Sequence, residues 1–485
     1  MLEYINKPLG LWRSQFLTRL LGLVIVQFAL LQLNVFLYIF NFSWFCWTYA
    51  FFLLSGIALA IYGLRLWTLV FASWASYIFL GRTFYINVET QLAEEYIILL
   101  GLLFLSSVLT LYHVIRYSQN SKPEPITDLN SDLDASITCL FRCTILSVMF
   151  FATLAKINID FFNIHVSCHN GVMRNIPKLW NIPVATTLTN STPLIAIASE
   201  GLIVVLLFLS PRIGMLFTTL VMGILGLMGG ATGFTLVIIA MAFAFLQKTD
   251  KNRLLNALIT LRSSVIYLII LCAGLTFFVF KGNRLWIDFF IFTIFILSGL
   301  YLNITVLQRK TKTAKEKLIP KEKGSRIFMI AFIAATIVNG LSPYFGWRYR
   351  SSFAMLSNLR VDHNRWNHLI APKSIFLNKT DPYVYITQLV PRPGDYGKIK
   401  GLSGPNWLKR GLYPGLFSPA SFAHRIKVYQ DLGINFLVLG EYKGQPIRFD
   451  SIQDRSELNQ FVESLPKDKW FQEWLSIEGP QPCAH

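Results

Sequence analysis

Apolar stretches of about 20 residues recur along the first two thirds of this chain, each about the length an α-helix needs to cross the hydrocarbon of a bilayer. Of the 485 residues 54% are hydrophobic, 15% aromatic and only 14% charged, which excludes a water-soluble fold. Backbone groups in lipid must find partners within their own segment, so these stretches are expected to be helices. About eleven spans can be read, at 20–40, 44–62, 64–81, 96–116, 138–156, 193–210, 212–228, 230–246, 264–281, 285–306 and 326–343. Lys7, Arg13 and Arg19 precede the first, with no small-residue cleavage site, so it reads as a retained signal anchor.

Orientation follows from lysine and arginine placement, because cytoplasmic loops hold the positive excess. The linker 307–326 carries Arg309, Lys310, Lys312, Lys315, Lys317, Lys321, Lys323 and Arg326 against Glu316 and Glu322 alone. It is therefore cytoplasmic. Counting spans outwards puts the basic segment 247–263 and the amino terminus on the same side. The loop from Asn158 to Thr192 and everything after Pro343 fall on the opposite face, which is periplasmic, lumenal or extracellular. The net charge of +18 is thus in part a topology signal, and a nucleic-acid partner is not implied by it.

The composition shifts at Tyr344. Apolar runs shorten, and Pro and Gly cluster at 391–394 and 401–405. Residues 1–343 form the transmembrane domain, and 344–485 a soluble domain of about 140 residues, enough for one core. Tyr383–Ile386 and Ile434–Leu439 alternate as strands do, whereas Ala420–Leu432 and Arg455–Leu465 carry helical patterns. The expected fold class is a polytopic α-helical membrane protein of about eleven transmembrane helices with an extracytoplasmic α+β C-terminal domain. The acidic stretch Asp128–Asp134 reads as a loop.

Cys46, Cys139, Cys143 and Cys272 lie in or beside spans, where a small apolar side chain explains them. Cys168 and Cys483 share the outer compartment, and a bridge between them would staple the soluble domain to the membrane domain. His165, Cys168 and His169 put three potential metal donors within a few residues, but no second ligand pair with finger-like spacing follows, and no metal site is assigned. Phosphate-binding, dinucleotide-binding, zinc-protease and nucleophile-elbow motifs are absent from the sequence.

Ionisable residues within spans are costly and carry a functional expectation. Lys156 closes the fifth span, with Asp160 four residues on, and Glu200 lies near the middle of the sixth. An ammonium at the edge of hydrocarbon is either an anchor that snorkels to water or a base held at a site. The residues alone leave both open.

The run Phe151-Ala152-Thr153-Leu154-Ala155-Lys156-Ile157-Asn158-Ile159-Asp160-Phe161 precedes a loop containing Gly171 and then the span with Glu200. It resembles the core of the horizontally transferred transmembrane (HTTM) family, relatives of vitamin K-dependent γ-carboxylase, where Ala-Gly-x-x-Lys-Leu-x-x-Asp-Trp closes a helix. The segment from Phe353 to Arg360, followed by Asn367-His368-Leu369, is similar to the one that opens the outer domain of bacterial relatives. The resemblance implies that Lys156 is the base that deprotonates a reduced vitamin K-type quinone. The quinol then reacts with oxygen to give a strong base that removes a proton from a glutamate side chain, to which carbon dioxide adds. Glu200 and Asp160 would position or tune the lysine. The implied partners are membrane lipids, a quinone and a protein substrate on the non-cytoplasmic face.

Phe161-Phe162-Asn163 stands where the family has Trp and Gly, and the histidines it carries before the fourth span and in the seventh have no counterparts here. Two function classes therefore stand side by side. One is a quinol-linked or lipid-substrate enzyme of carboxylase type. The other is a non-enzymatic membrane protein that binds lipid or assists export and maturation of partner proteins. A transporter would call for repeated halves and broken helices, which the sequence does not display.

Overall fold

The computed structural model describes residues 12–31, 43–63, 65, 67–75, 90–119, 126–163, 165–173, 183, 185–227, 232–246, 322–345, 357, 359, 366–375, 383–392, 395, 415–431, 433–453, 455–466 and 474–475. The chain divides into two compact units. The first comprises Met1–Phe150, Val172–Leu188 and Ile195–Ile337, and the second Phe151–Gly171, Thr189–Leu194 and Val338–His485.

Helices build the described part of the first unit. They include α1 (Trp12–Leu31), α2 (Ser43–Tyr62), α3 (Thr90–Gln119), the body of α4 (Ile126–Lys156), most of α7 (Thr186–Leu209), α8 (Pro211–Leu227), α9 (Thr232–Ala242) and most of α10 (Lys323–Leu341), together with the helical residues 67–75. The expected spans with described residues are helical in most of those residues, whereas 264–281, 285–306 and most of the basic linker 307–326 lie outside the described residues. Among the described residues, three helical stretches are long and apolar enough to cross a membrane: Asp132–Lys156, Thr189–Leu209 and Lys323–Leu341. The surface of α7 shows why a bilayer suits it: Leu202, Val205, Phe208 and Leu209 are all exposed, an apolar face that water would penalise.

Small residues set how closely the first two helices approach. A Cβ on Gly22 of α1 would sit 2.5 Å from the Ala60 nitrogen and 2.7 Å from the Gly56 carbonyl oxygen of α2. Dispersion, which holds helices together in lipid, depends on such backbone proximity.

Two expected loops are partly helical. The acidic stretch Asp128–Asp134 lies within the first turns of α4, since its carboxylates suit a helix N-terminus and Leu133 and Ile137 are fully buried. Likewise α7 begins at Thr186, inside the expected loop 158–192. Pro193 inside α7 has no N–H for the Thr189 carbonyl, and the Thr192 hydroxyl donates to that carbonyl instead, at 2.6 Å.

Glu322 fastens α10 to α3. Its carboxylate accepts from the backbone N–H of Gly324 (2.8 Å) and of Ser325 (2.5 Å) and pairs with Arg116 at 3.2 Å. Burial would raise this carboxyl, but the two N–H donors, the Ser325 hydroxyl and the Arg116 guanidinium outweigh it and hold it down at about 2.

The second unit contains a five-stranded antiparallel sheet in the order β4-β3-β1-β2-β5. Its strands are β1 (Val384–Pro391), β2 (Gly415–Phe417), β3 (Phe436–Tyr442), β4 (Gln445–Phe449) and β5 (Trp474–Leu475). Two helices, α11 (Pro419–Asp431) and α12 (Arg455–Ser464), complete the α+β arrangement. Phe422, Ile426 and Tyr429 recur at helical spacing on α11 and share a core with Val384, Ile386, Phe417, Phe436 and Val438 of the sheet and Leu458 of α12.

A bulge bends β1 against β3 between Ile386 and Gln388. Gly440, opposite Ile386, makes room for it, since a Cβ there would come within 2.1 Å of the Tyr385 carbonyl oxygen. Gly440→Ala is therefore expected to destabilise this core by about 2–4 kcal/mol through overpacking and backbone shift. Thermal unfolding followed by near-ultraviolet circular dichroism of the full chain would measure it.

Candidate functional site at the Lys156 helix end

Lys156 and Asp160 both belong to the second unit, which takes in the last turns of α4, whereas Glu200 lies in the first unit. Glu200 is buried in α7, at 8% exposure.

The Lys156 side chain does not snorkel. It is 5% exposed, and its Nζ turns back along α4 to donate to the Ala152 carbonyl at 3.4 Å. Helical side chains lean toward the N-terminus, so an amine at the last position of α4 is carried back into the span rather than out of it. Burying an ammonium costs several kcal/mol unless interactions compensate it.

Immediately after Lys156 the chain is clamped. Asn158, fully buried, caps the short helix α5 (Ile159–Phe162): its Oδ1 accepts from the Phe161 N–H at 2.8 Å. Its Nδ2 donates to the Ala155 carbonyl at 2.8 Å and to the Ser357 carbonyl. Residues 157–159 also pair with 367–369 as an antiparallel ribbon, through Ile159 N–H to Asn367 O at 2.9 Å and Leu369 N–H to Ile157 O at 3.0 Å. Asn367 Nδ2 in turn donates to Asp160 Oδ2 at 2.8 Å.

His368 is held as one neutral tautomer. Its Nδ1 accepts from the N–H groups of Ala371 (2.7 Å) and Ile370 (3.2 Å), so the ring proton resides on Nε2, which donates to the Leu154 carbonyl at 2.9 Å. Burial lowers its pKa, against the opposing effect of the Leu154 carbonyl. The edge of the Tyr344 ring meets this imidazole, with centroids 5.0 Å apart. Tyr344 is 1% exposed, packs with Ala155, Leu359 and Trp366, and its hydroxyl has no hydrogen-bond partner among the described residues. Burial raises that phenol's pKa.

His169, on α6 (Cys168–Met173), packs against Phe161 with ring centroids 6.5 Å apart. Burial, and secondly the positive charge of Lys156, hold it down at about 4. At neutral pH a neutral imidazole thus stands within the field of the lysine. Because the folded value lies below the unfolded one of about 6.5, His169 contributes stability above pH 6.5 that is lost as pH falls toward 4. The second unit is therefore expected to lose about 2 kcal/mol over that window, a figure discounted for partial exposure. Replacing His169 with Gln should flatten the acid limb of a melting-temperature profile.

His165, Cys168 and His169 do not act together. His165 is exposed, Cys168 is disulfide-bonded and buried, and His169 faces Phe161. Cys483, the partner the sequence points to, lies outside the described residues. Among the described residues no group of three His, Cys, Asp or Glu side chains is arranged to hold a metal.

The residues with the most telling geometry are only partly visible in sequence. Asn158 and Asn367 are polar residues on either side of a pairing that spans 209 positions, and neither carries a motif of its own. His169 stands out only for its short spacing to His165 and Cys168. No family model, curated protein or solved structure matches the chain.

Proposed function

We propose that this is a multi-pass membrane protein of carboxylase-related type that acts on a quinol or lipid-linked substrate at the outer end of α4, with Lys156 as the base. The amino terminus and the basic linker face the cytoplasm, about eleven helices span the bilayer, and the α+β domain stands on the opposite face. The second unit supports this orientation, because it collects the C-terminal ends of α4 and α10, Thr189–Leu194 of α7 and the sheet. These are the ends that charge counting assigns to the outer side.

The single observation that carries the reading is the enclosed Lys156 amine, 5% exposed and turned inward. An anchor would reach for headgroups or water. A base that serves a lipid-soluble substrate has to sit where that substrate does.

A quinol would find aromatic neighbours here: Phe161 and Trp366 belong to the same unit, and the buried Tyr344 hydroxyl has no hydrogen-bond partner among the described residues. A reduced quinone would supply the acidic hydroxyl. Lys156 would receive its proton, Asp160, fixed by Asn367, would balance charge near the helix end, and neutral His169 would keep a second cation away from the amine.

A non-enzymatic role in lipid binding or partner maturation is favoured by one observation. Asn158, Asp160, Asn367 and His368 all spend hydrogen bonds on holding the chain together. Gentle purification followed by mass spectrometry of co-purifying lipids separates the two. A stoichiometric quinone is the expected result; bulk phospholipid alone would favour the non-enzymatic role.

A further inference from the structure

The second unit segregates its exposed side chains. Among its described residues, the large exposed hydrophobics are Ile159 (59%), Phe162 (40%), Leu194 (63%), Val338 (50%), Leu369 (54%) and Ile370 (65%), with Val390 alone on the sheet. Most of its exposed charges, such as Lys427, Glu441, Lys443, Arg448, Asp450 and Glu457, lie instead on the sheet, its turn and the two helices of the α+β part, while Lys373 borders the apolar set. A surface meeting water throughout would intermix the two kinds.

Four of the six apolar side chains belong to one small structure. Ile159 and Phe162 come from α5 and the strand leading into it, and Leu369 and Ile370 from the partner strand of the 157–159/367–369 ribbon. The backbone of this ribbon is tied by Ile159 N–H to Asn367 O, Leu369 N–H to Ile157 O and the three hydrogen bonds of His368. These groups are thus paired within the protein, which lowers the cost of entering a bilayer. Phe161 points the other way and is fully buried, so the outward set is a face and not a frayed loop. Ile159 follows by three residues the last residue of the apolar helix Asp132–Lys156, and exposed Lys373 stands three residues beyond Ile370, where an ammonium meets lipid phosphates.

We infer that the 157–162/366–371 ribbon is a wedge seated in the outer leaflet of the bilayer, with Ile159, Phe162, Leu369 and Ile370 among the acyl chains and Lys373 at the headgroups. The occupant of this face is lipid, because the face continues a helix whose own exposed side chains, such as Phe150 (51%), are apolar. The wedge places the clamp around Lys156 at the depth of the lipid glycerol region. It rests on the reading of α4 as a membrane span and does not depend on the chemistry of Lys156.

Site-directed nitroxide labelling through an unnatural amino acid spares the native cysteines. Labels at positions 150, 159, 370 and 443 of the full chain in phosphatidylcholine vesicles would be compared for collisions with oxygen, which favours lipid, and with a water-soluble nickel chelate. Position 443 is the exposed turn of the sheet. Labels at 150, 159 and 370 are expected to meet oxygen in preference to nickel, shallower at 159 and 370 than at 150, with the reverse at 443. If 150 lies in lipid while 159 and 370 resemble 443, the wedge is overturned and the span stands. If 150 also resembles 443, both fall. Labels at 159 and 370 shielded from both reagents would mean that protein covers the face, which likewise overturns the inference.

Discussion

A Lys156→Met variant is expected to fold like the parent yet to lose turnover of a quinol or lipid-linked substrate by about 10²–10⁴-fold, the contribution typical of a positioned base. Methionine fills a similar volume and carries no charge to desolvate, so the fold is expected to tolerate it. A purely structural lysine would give the opposite pattern, with lower stability and intact turnover in whatever folds. The variant also reports on His169. Burial remains the larger cause of its low value, but the repulsion from Lys156 disappears. The histidine should therefore titrate higher than about 4 and still below its ordinary range, and a ¹⁵N-histidine titration would follow it.

Asn158→Leu is expected to be the most destabilising single change in the second unit, at about 3–5 kcal/mol. The side chain is fully buried and serves the Phe161 N–H, the Ala155 carbonyl and the Ser357 carbonyl at once. Leucine has a similar size, so the loss is not of volume but of partners, and it leaves one donor and two acceptors buried without a match. Because the ribbon to Asn367 and His368 adjoins the same residue, protease sensitivity should appear between residues 157 and 175 before the sheet unfolds. Limited proteolysis of the full chain alongside thermal unfolding would separate local from global loss. Asn158→Asp retains the acceptor for Phe161 but not the donor, and should fall between the parent and the leucine variant.

Much of the helical architecture was legible in sequence because hydrocarbon leaves the backbone few choices. The apolar run 326–343 corresponds to α10 within a few residues, and 193–210 to α7 apart from its first two turns. In the α+β part, alternation at Tyr383–Ile386 and Ile434–Leu439 found β1 and β3, and the pattern over Ala420–Leu432 found α11. Strand order was not legible, since it is decided by pairings such as Leu416 with Leu475, which no local pattern records. The acidic start of α4 was misread because its carboxylates looked like loop polarity, whereas burial of Leu133 and Ile137 carries the helix through it.

The site followed the same division. Lys156 was conspicuous as a lone cation at the end of an apolar run. Its burial was not, because snorkelling outward and folding back are equally open to a flexible four-carbon stem, and packing chooses between them. The roles of Asn367 and His368 as the other half of the clamp depend on a contact between segments more than 200 residues apart.

The enclosure of the Lys156 amine is tested most directly by its reactivity. Reductive methylation of the full chain in vesicles, read by peptide mass spectrometry, compares Lys156 with exposed Lys373 and Lys443. Lys156 should remain unmodified while the other two react to completion, and should become reactive once the protein is unfolded in detergent. Modification of Lys156 in the intact protein at the rate of Lys373 would contradict the account.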